Sequence, residues 1–128
     1  MIVLDTHAWI WFATDSDKLS DTARRKLSEA ERIGICAISC WEVAMLVAKE
    51  RLGLAMDVQQ WISKALDKPK INLLPLSPEI AVLSTRLPGT FHGDPADRII
   101  VASCMDQHAI LITKDKSIAQ YKFIESLW

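Results

Sequence analysis

Four short apolar runs, separated by longer amphipathic stretches, place the strongest constraint on how this chain can fold. The runs cover residues 1–4, 33–38, 71–74 and 109–113. Runs of this length are typical of strands that are buried on both faces of a sheet. Strands that alternate with helices form parallel sheets, because each helix carries the chain back to the end where the next strand begins.

The segments between these runs carry helix signals. Ser20 is a favoured N-cap residue ahead of an amphipathic stretch, and Pro78 follows Ser77 where a helix can begin. We predict helices over residues 8–13, 22–32, 39–51, 57–66, 77–87 and 94–107, a short helix after residue 115, and an edge strand at residues 123–124. The predicted fold class is α/β, a three-layer sandwich whose central parallel sheet of four to five strands has helices on both faces.

Length and composition exclude several classes of protein. The chain has 128 residues, which predicts a single domain spanning residues 1–128. Its 15 basic and 16 acidic residues give a net charge of −1, which excludes nucleic-acid binding by bulk positive charge. No apolar stretch reaches the roughly 20 residues that a membrane helix needs. The first residues lack a basic region, so we expect no signal peptide.

The cysteines do not indicate a zinc site. Cys36, Cys40 and Cys104 include no C-x-x-C pair, and no histidine is suitably spaced to complete a four-ligand set. We therefore expect reduced, partly buried thiols in a cytoplasmic protein.

Acidic residues follow the predicted strands at the edge where parallel α/β sheets place their sites. Asp5 comes directly after the first strand, Glu42 lies in the first turn of the helix after the second, and Asp115 follows the fourth. Asp97 lies in the first turn of the helix that begins at Asp94. Each has a structural explanation taken singly, since aspartate caps helices and Ser39-x-x-Glu42 fits a capping box.

Taken together, the acids indicate a metal-dependent reaction. Converging carboxylates repel one another and raise each other's pKa, so a cluster near neutral pH is stabilised by cations. Hard oxygen ligands select Mg²⁺ or Mn²⁺ over zinc or copper. Such ions activate water and offset the charge on a phosphoryl oxygen, which is the chemistry of phosphodiester hydrolysis.

Four motifs in order along the chain resemble those of one family. They are Ile2-Val3-Leu4-Asp5-Thr6-His7, Ser39-x-x-Glu42, Gly93-Asp94-Pro95-x-Asp97-Arg98-Ile99-Ile100-x-Ala102 and Thr113-x-Asp115. From residue 1 to about residue 120 the chain resembles a PIN domain, specifically the VapC-like toxins of bacterial toxin–antitoxin pairs. The resemblance implies a Mg²⁺- or Mn²⁺-dependent endoribonuclease, usually a homodimer, that a cognate antitoxin silences.

The resemblance also implies roles for individual residues. Asp5, Glu42, Asp97 and Asp115 match the acidic quartet of the family, with Asp5 and Asp97 as the direct metal ligands and the other two acting through water or at a second ion. Supporting positions, which orient carboxylates or waters, match Thr6, Ser39 and Thr113. Asp94 is either a further acid of the site or only the cap of its helix.

Other residues have simpler explanations. Arg98, a further supporting position, either pairs with a neighbouring acid or contacts a substrate phosphate, and of the two we expect the structural ion pair. We expect His7 to be a surface residue at a helix start. Trp9 and Trp11 are two residues apart, so a helix cannot bury both on one narrow face, which leaves one for a dimer or antitoxin surface. The apolar face of the helices at 39–51 and 57–66 resembles the groove in which VapC-like toxins accept an antitoxin segment.

Two alternative functions stay open at this point. In a phosphatase of the haloacid-dehalogenase kind, the aspartate after the first strand is the nucleophile, but a second aspartate is needed where this chain has His7. A degenerate PIN domain that acts only as an interaction module is the other alternative, and the presence of all four acids counts against it.

Overall fold

Five parallel strands form the central sheet that the apolar runs predict, in the order β3-β2-β1-β4-β5. The computed structural model describes all 128 residues. Its elements are β1 (Ile2–Leu4), α1 (Thr6–Ala13), α2 (Asp21–Glu29), β2 (Ile33–Cys36), α3 (Ala37–Ala48), α4 (Val58–Leu66), β3 (Ile71–Leu74), α5 (Pro78–Thr85), α6 (Pro95–Gln107), β4 (Ile110–Ile112), α7 (Lys116–Ala119) and β5 (Ser126–Leu127).

The first strand lies at the centre of the sheet. Ile2 is in register with Ile33 of β2 on one side and with Ile110 of β4 on the other. All three residues of β1 are buried. The strand order therefore brings the segments after β1, β2 and β4 to one edge, although they are far apart in sequence.

Two hydrophobic cores, one on each face of the sheet, confirm the predicted three-layer architecture. Ile2 and Leu4 of β1 pack into a core with α1, α2 and α4, whereas Val3 points into a core with α5, α6 and α7. Alternate strand residues face opposite sides of a sheet, so a continuous apolar run can supply both cores. None of the seven helices has the length and hydropathy that a membrane span requires.

Gly34 lets the second core close against the middle of the sheet. A Cβ atom on Gly34 would lie 2.9 Å from Leu74 Cδ1 and 3.0 Å from Met1 Sδ. The absence of a side chain in β2 therefore makes room for residues of the neighbouring strands.

Helix starts follow the predicted caps at several positions. The side chain of Ser20 accepts a hydrogen bond from the Ala23 amide, and that of Ser77 accepts one from the Ile80 amide. Asp57 caps α4 in the same way through two amides. These side chains satisfy backbone donors that have no partner within the helix, which is why they mark its first turn.

Several predicted boundaries were wrong, including that of the helix predicted to reach residue 51, which ends at Ala48. The helix after β2 begins at Ala37 instead of Ser39, the helix predicted to reach residue 32 ends at Glu29, and the edge strand is Ser126–Leu127 instead of residues 123–124. Apolar residues continue from β2 into α3 without a turn signal, so composition does not mark the change. The last strand has only two residues, and its parallel pairing with β4 determines its place.

Candidate active site

The four predicted acids line one cavity at the carboxyl edge of the sheet. This acidic cavity has a volume of about 480 Å³. Its lining residues are Asp5, Thr6, His7, Trp11, Glu42, Asp97, Lys114 and Asp115. Four separate segments of the chain therefore bring their carboxylates together, as the strand order requires.

Asp5 is held by both of its carboxylate oxygens. Its Oδ1 accepts a hydrogen bond from the His7 amide, 3.0 Å away, which caps α1. Its Oδ2 accepts a hydrogen bond from the hydroxyl of Thr113, which is 108 residues later in the chain. Burial raises the pKa of Asp5, and the hydrogen bond from Thr113 partly offsets that shift. The capping role and the site role therefore coexist in one side chain.

Glu42 is positioned from α1, and the predicted capping box is wrong. Because α3 begins at Ala37, Ser39 lies inside the helix and Glu42 in its second turn. The Thr6 hydroxyl donates a hydrogen bond to the Glu42 carboxylate and lies 2.9 Å from the Ser39 hydroxyl. Both hydroxyl residues are buried. Burial raises the pKa of Glu42 despite the hydrogen bond from Thr6.

Asp97 lies in the first turn of α6, where four other carboxylates surround it. Burial, followed by the negative charges of Asp94, Asp5, Asp115 and Glu42, raises its pKa to about 7. Asp94 caps the helix by accepting a hydrogen bond from the Asp97 amide at 3.0 Å, and it does not line the acidic cavity. The structure thus gives Asp94 the role of a helix cap that also adds negative charge near Asp97.

Asp115 is the most exposed member of the quartet and the only one with a lowered pKa. Its Oδ1 accepts hydrogen bonds from the Ser117 hydroxyl at 2.6 Å and from the amides of Ser117 and Ile118. These donors stabilise the ionised form, so the pKa of Asp115 lies below its usual value. Asp115 therefore stays negatively charged while Asp97 binds a proton more tightly.

The donor set fits a hydrated divalent cation. All four acids offer hard oxygen ligands, which suit Mg²⁺ or Mn²⁺. No group of three or more histidine, cysteine, aspartate or glutamate side chains is arranged to hold a metal ion by itself. Mg²⁺ usually keeps several of its waters and is bound through one or two carboxylates. The oxygen ligands that line the cavity therefore fit the preference of a hard, partly hydrated ion.

Trp11 and Lys114 line the cavity beside the carboxylates. Trp11 is half-buried at the cavity wall, whereas Trp9 is fully buried, as their spacing predicts. The ammonium group of Lys114 lies 5.8 Å from the centre of the Trp11 ring. The structure thus adds a positive charge and an aromatic ring to the carboxylates.

His92 is a further residue that sequence reasoning missed. Its Nε2 lies 3.4 Å from Asp97 Oδ2. The signal was its position immediately before Gly93-Asp94, since the segment that leads into α6 must reach the same sheet edge as Asp97. His7 is exposed at the start of α1, as predicted, and lines the cavity as well.

The predicted ion pair of Arg98 was wrong. The guanidinium group instead donates hydrogen bonds to the backbone carbonyls of Ser84, Phe91 and His92, at 2.7, 2.9 and 3.0 Å. A planar group with several fixed donors can satisfy carbonyls that converge from two directions. Arg98 therefore anchors the segment between α5 and α6 and holds His92 near Asp97.

The cysteines are free thiols, with Cys36 and Cys104 buried and Cys40 half-buried. Burial raises the pKa of Cys36 to about 11, so this thiol stays protonated at neutral pH. None of the three lines the acidic cavity.

Comparisons with known proteins agree with this arrangement. The PIN domain family model matches residues 2–124. Ribonuclease VapC22 of Mycobacterium tuberculosis is 31% identical over 121 residues, which are 94% of this chain and 92% of that protein.

Solved structures share the fold at lower identity. VapBC2 from Rickettsia felis, bound to a DNA fragment from its promoter, has a TM-score of 0.71 and 18% identity, covering 99% of this chain and 98% of that one. A toxin–antitoxin complex from Klebsiella pneumoniae has a TM-score of 0.69 and 20% identity, covering 97% of this chain and 95% of that one. FitAcB from Neisseria gonorrhoeae has a TM-score of 0.68 and 18% identity, covering 99% of this chain and 96% of that one. Since the family model matches residues 2–124 and a relative is 31% identical over 94% of its length, this chain belongs to the PIN domain family.

Proposed function

We propose that this protein is a metal-dependent endoribonuclease toxin of the VapC type, formed by a single PIN domain over residues 1–128. The observation that carries the proposal is the convergence of Asp5, Glu42, Asp97 and Asp115 on one cavity. The relative named as a ribonuclease supports RNA as the substrate class. Because that substrate is found inside the cell, we place the protein in the cytoplasm.

Asp5 and Asp97 are the proposed direct ligands of Mg²⁺ or Mn²⁺, and Glu42 and Asp115 complete the site through bound water. A divalent ion in this site supplies an activated water and offsets the negative charge on the phosphate group. This division follows the preference of Mg²⁺ for one or two carboxylates and several retained waters.

The chain's own residues orient these carboxylates. Thr113 fixes the Oδ2 atom of Asp5, and Thr6 fixes Glu42, so neither acid can turn away from the cavity. Asp97 binds a proton tightly in the absence of a counter-charge, because its pKa is about 7. Lys114 offers a positive charge to the substrate phosphate. No side-chain nucleophile is needed, since water attacks the phosphorus in line with the leaving oxygen.

We also propose that a cognate antitoxin controls the site and that the protein forms a homodimer. Solved structures with this fold include toxin–antitoxin complexes, which supports a protein partner. The apolar face between α3 and α4 is the proposed antitoxin groove. Leu73, Leu76 and Val82 are each about half exposed on and after the edge strand β3, which supports a second copy as their partner.

Cleavage of RNA by purified, antitoxin-free protein tests the proposal. We expect cleavage with Mg²⁺ or Mn²⁺, none with EDTA, and none by the Asp5→Ala variant, whose circular dichroism should match the wild type. Wild-type cleavage rates in Asp5→Ala would contradict the assignment of the site. No cleavage and no metal binding by calorimetry would favour the interaction module.

A further inference from the structure

A second concavity adjoins the acidic cavity. This aromatic groove has a volume of about 410 Å³. Its walls are formed by the rings of Phe91, His92, Tyr121 and Phe123, with the polar residues Ser117 and Gln120. None of the acids lines it, so its chemistry differs from that of the metal site.

Two residues connect the groove with the acidic cavity. His92 lines the groove, and its Nε2 lies 3.4 Å from Asp97 Oδ2. Ser117 also lines the groove, and its hydroxyl donates a hydrogen bond to Asp115 Oδ1 at 2.6 Å. An extended ligand with a phosphate group at the carboxylates therefore reaches the groove with its neighbouring unit.

The rings of the groove form a continuous chain. Phe91 stacks on His92 with 4.3 Å between ring centres and meets the edge of Tyr121 at 5.0 Å. Tyr121 in turn lies 5.4 Å from Phe123. Tyr121 is buried, whereas Phe123 is 54% exposed and is the most exposed phenylalanine of the chain. Phe123 thus leaves much of its apolar surface open to solvent at the groove.

Hydrogen bonds and packing contacts with neighbouring residues hold the rings of the groove in place. Arg98 donates hydrogen bonds to the backbone carbonyls of Phe91 and His92, at 2.9 and 3.0 Å. The Tyr121 hydroxyl donates a hydrogen bond to the Pro88 carbonyl. The Phe123 ring lies against Gly89, where a Cβ atom would be 2.8 Å from its Cε2 and where φ is +67°. These contacts fix the rings before any ligand binds, which lowers the entropic cost of binding.

We propose that the aromatic groove binds an unpaired nucleobase of the RNA substrate, next to the phosphate that is cleaved. This proposal rests on the proposed ribonuclease function and assigns part of its substrate selection to the groove. Unstacked bases of single-stranded RNA bind by stacking on aromatic side chains and by hydrogen bonds along their edges. Phe123 provides the exposed ring, Gln120 an amide that can both donate and accept, and Lys122 a positive charge at the groove wall for the RNA backbone.

Variants of Phe123 distinguish base stacking on its ring from the effect of apolar bulk at this position. The probe is a pool of single-stranded RNA dodecamers randomised at every position, cleaved with Mn²⁺ and sequenced at the cut sites. We expect Phe123→Leu, which keeps apolar bulk without the ring, to lower kcat/KM by roughly 5- to 150-fold, the range for loss of one base–aromatic stack. The loss should lie mainly in KM, and the base preference at one position beside the cut should weaken. Phe123→Trp should retain the kcat/KM and the base preference of the wild type, because it keeps an aromatic ring.

The control is Thr22→Ala, which shortens an exposed side chain on α2, outside the aromatic groove, the acidic cavity and the proposed dimer surface. This variant should cleave the pool as the wild type does. Equal kcat/KM and equal base preference for Phe123→Leu and the wild type would overturn the groove proposal while leaving the ribonuclease intact. A wild-type protein that cleaves no member of the pool with either metal would instead remove the ribonuclease function, and the groove proposal with it.

Discussion

Replacing Asp97 by asparagine should stabilise the metal-free protein at pH 8. In the folded chain the pKa of Asp97 is about 7, against an ordinary value of 3.8. The folded state therefore binds the proton more tightly than the unfolded state between these values. Stability is highest below the unfolded pKa and falls as the pH rises through 7. Asp5 and Glu42, whose pKa values are also raised, act in the same direction.

The size of the effect follows from the shift. About three pKa units at roughly 1.4 kcal/mol each give an upper limit of about 4 kcal/mol. The side chain of Asp97 is 24% exposed, and water near it screens the repulsion, so we expect about 2 kcal/mol. For a domain of this length that corresponds to a rise in Tm of about 7 °C. Asparagine has the same shape, and its backbone amide keeps the hydrogen bond to Asp94.

Thermal unfolding in EDTA, followed by circular dichroism, measures this effect. Asp97→Asn should have the higher Tm at pH 8, and the gain should shrink by pH 5, where Asp97 of the wild type is itself neutral. Asp106→Asn is the matched control, because it removes an exposed carboxylate from the same helix and should change stability by no more than about 0.5 kcal/mol. Added Mn²⁺ should raise the Tm of the wild type more than that of Asp97→Asn.

An equal Tm for Asp97→Asn and the wild type at pH 8 would refute the reasoning from crowded charge. An equal gain at pH 5 and pH 8 would refute it as well, because it would assign the effect to something other than ionisation of Asp97.

Three further predictions concern residues that hold the site and the core. Thr6→Val should lower the free energy of unfolding by about 1–3 kcal/mol in urea titrations, because the buried Ser39 hydroxyl loses its partner; an unchanged midpoint would contradict this role. Arg98→Lys should cost about 2–4 kcal/mol and speed hydrogen exchange in residues 86–93, since an ammonium group cannot reach three carbonyls at once; wild-type exchange rates there would exclude it. Gly34→Ala should cost about 1 kcal/mol, the low end for overpacking, because the end of Leu74 can shift away; a loss above about 3 kcal/mol would show that the core is rigid here.

The place of the acids at the carboxyl edge of the sheet could be predicted from the sequence, because a residue just after a parallel strand lies at that edge. Asp5 follows an apolar run directly and Asp115 follows another after one intervening residue, so the strand that precedes each of them also determines the edge at which it lies. Glu42 could be assigned to the correct edge but not to its correct turn, since the change from β2 to α3 leaves no mark in the composition. The edge was predictable and the turn was not, because apolar runs locate a strand but do not show where the next helix begins.

The contacts that sequence reasoning missed join segments that are distant in the chain. Arg98 donates hydrogen bonds to three backbone carbonyls that precede α6 in the chain. Every residue type has a backbone carbonyl, so the sequence does not indicate which carbonyls accept these bonds. The aromatic groove brings Phe91 together with Phe123, which depends on the path of the chain after α7. Such contacts become visible only when the tertiary structure is known.

The central position of β1 affects how the protein acquires activity while it is being synthesised. The first strand to leave the ribosome pairs on one side with β4, whose residues are made more than a hundred positions later. Asp5 meets Thr113 across that same span. Until the fourth strand has emerged, the nascent chain has neither a complete sheet nor an assembled set of carboxylates, and contacts between distant segments form slowly. A partly synthesised chain therefore lacks the assembled acidic cavity, which forms only when the chain is almost finished.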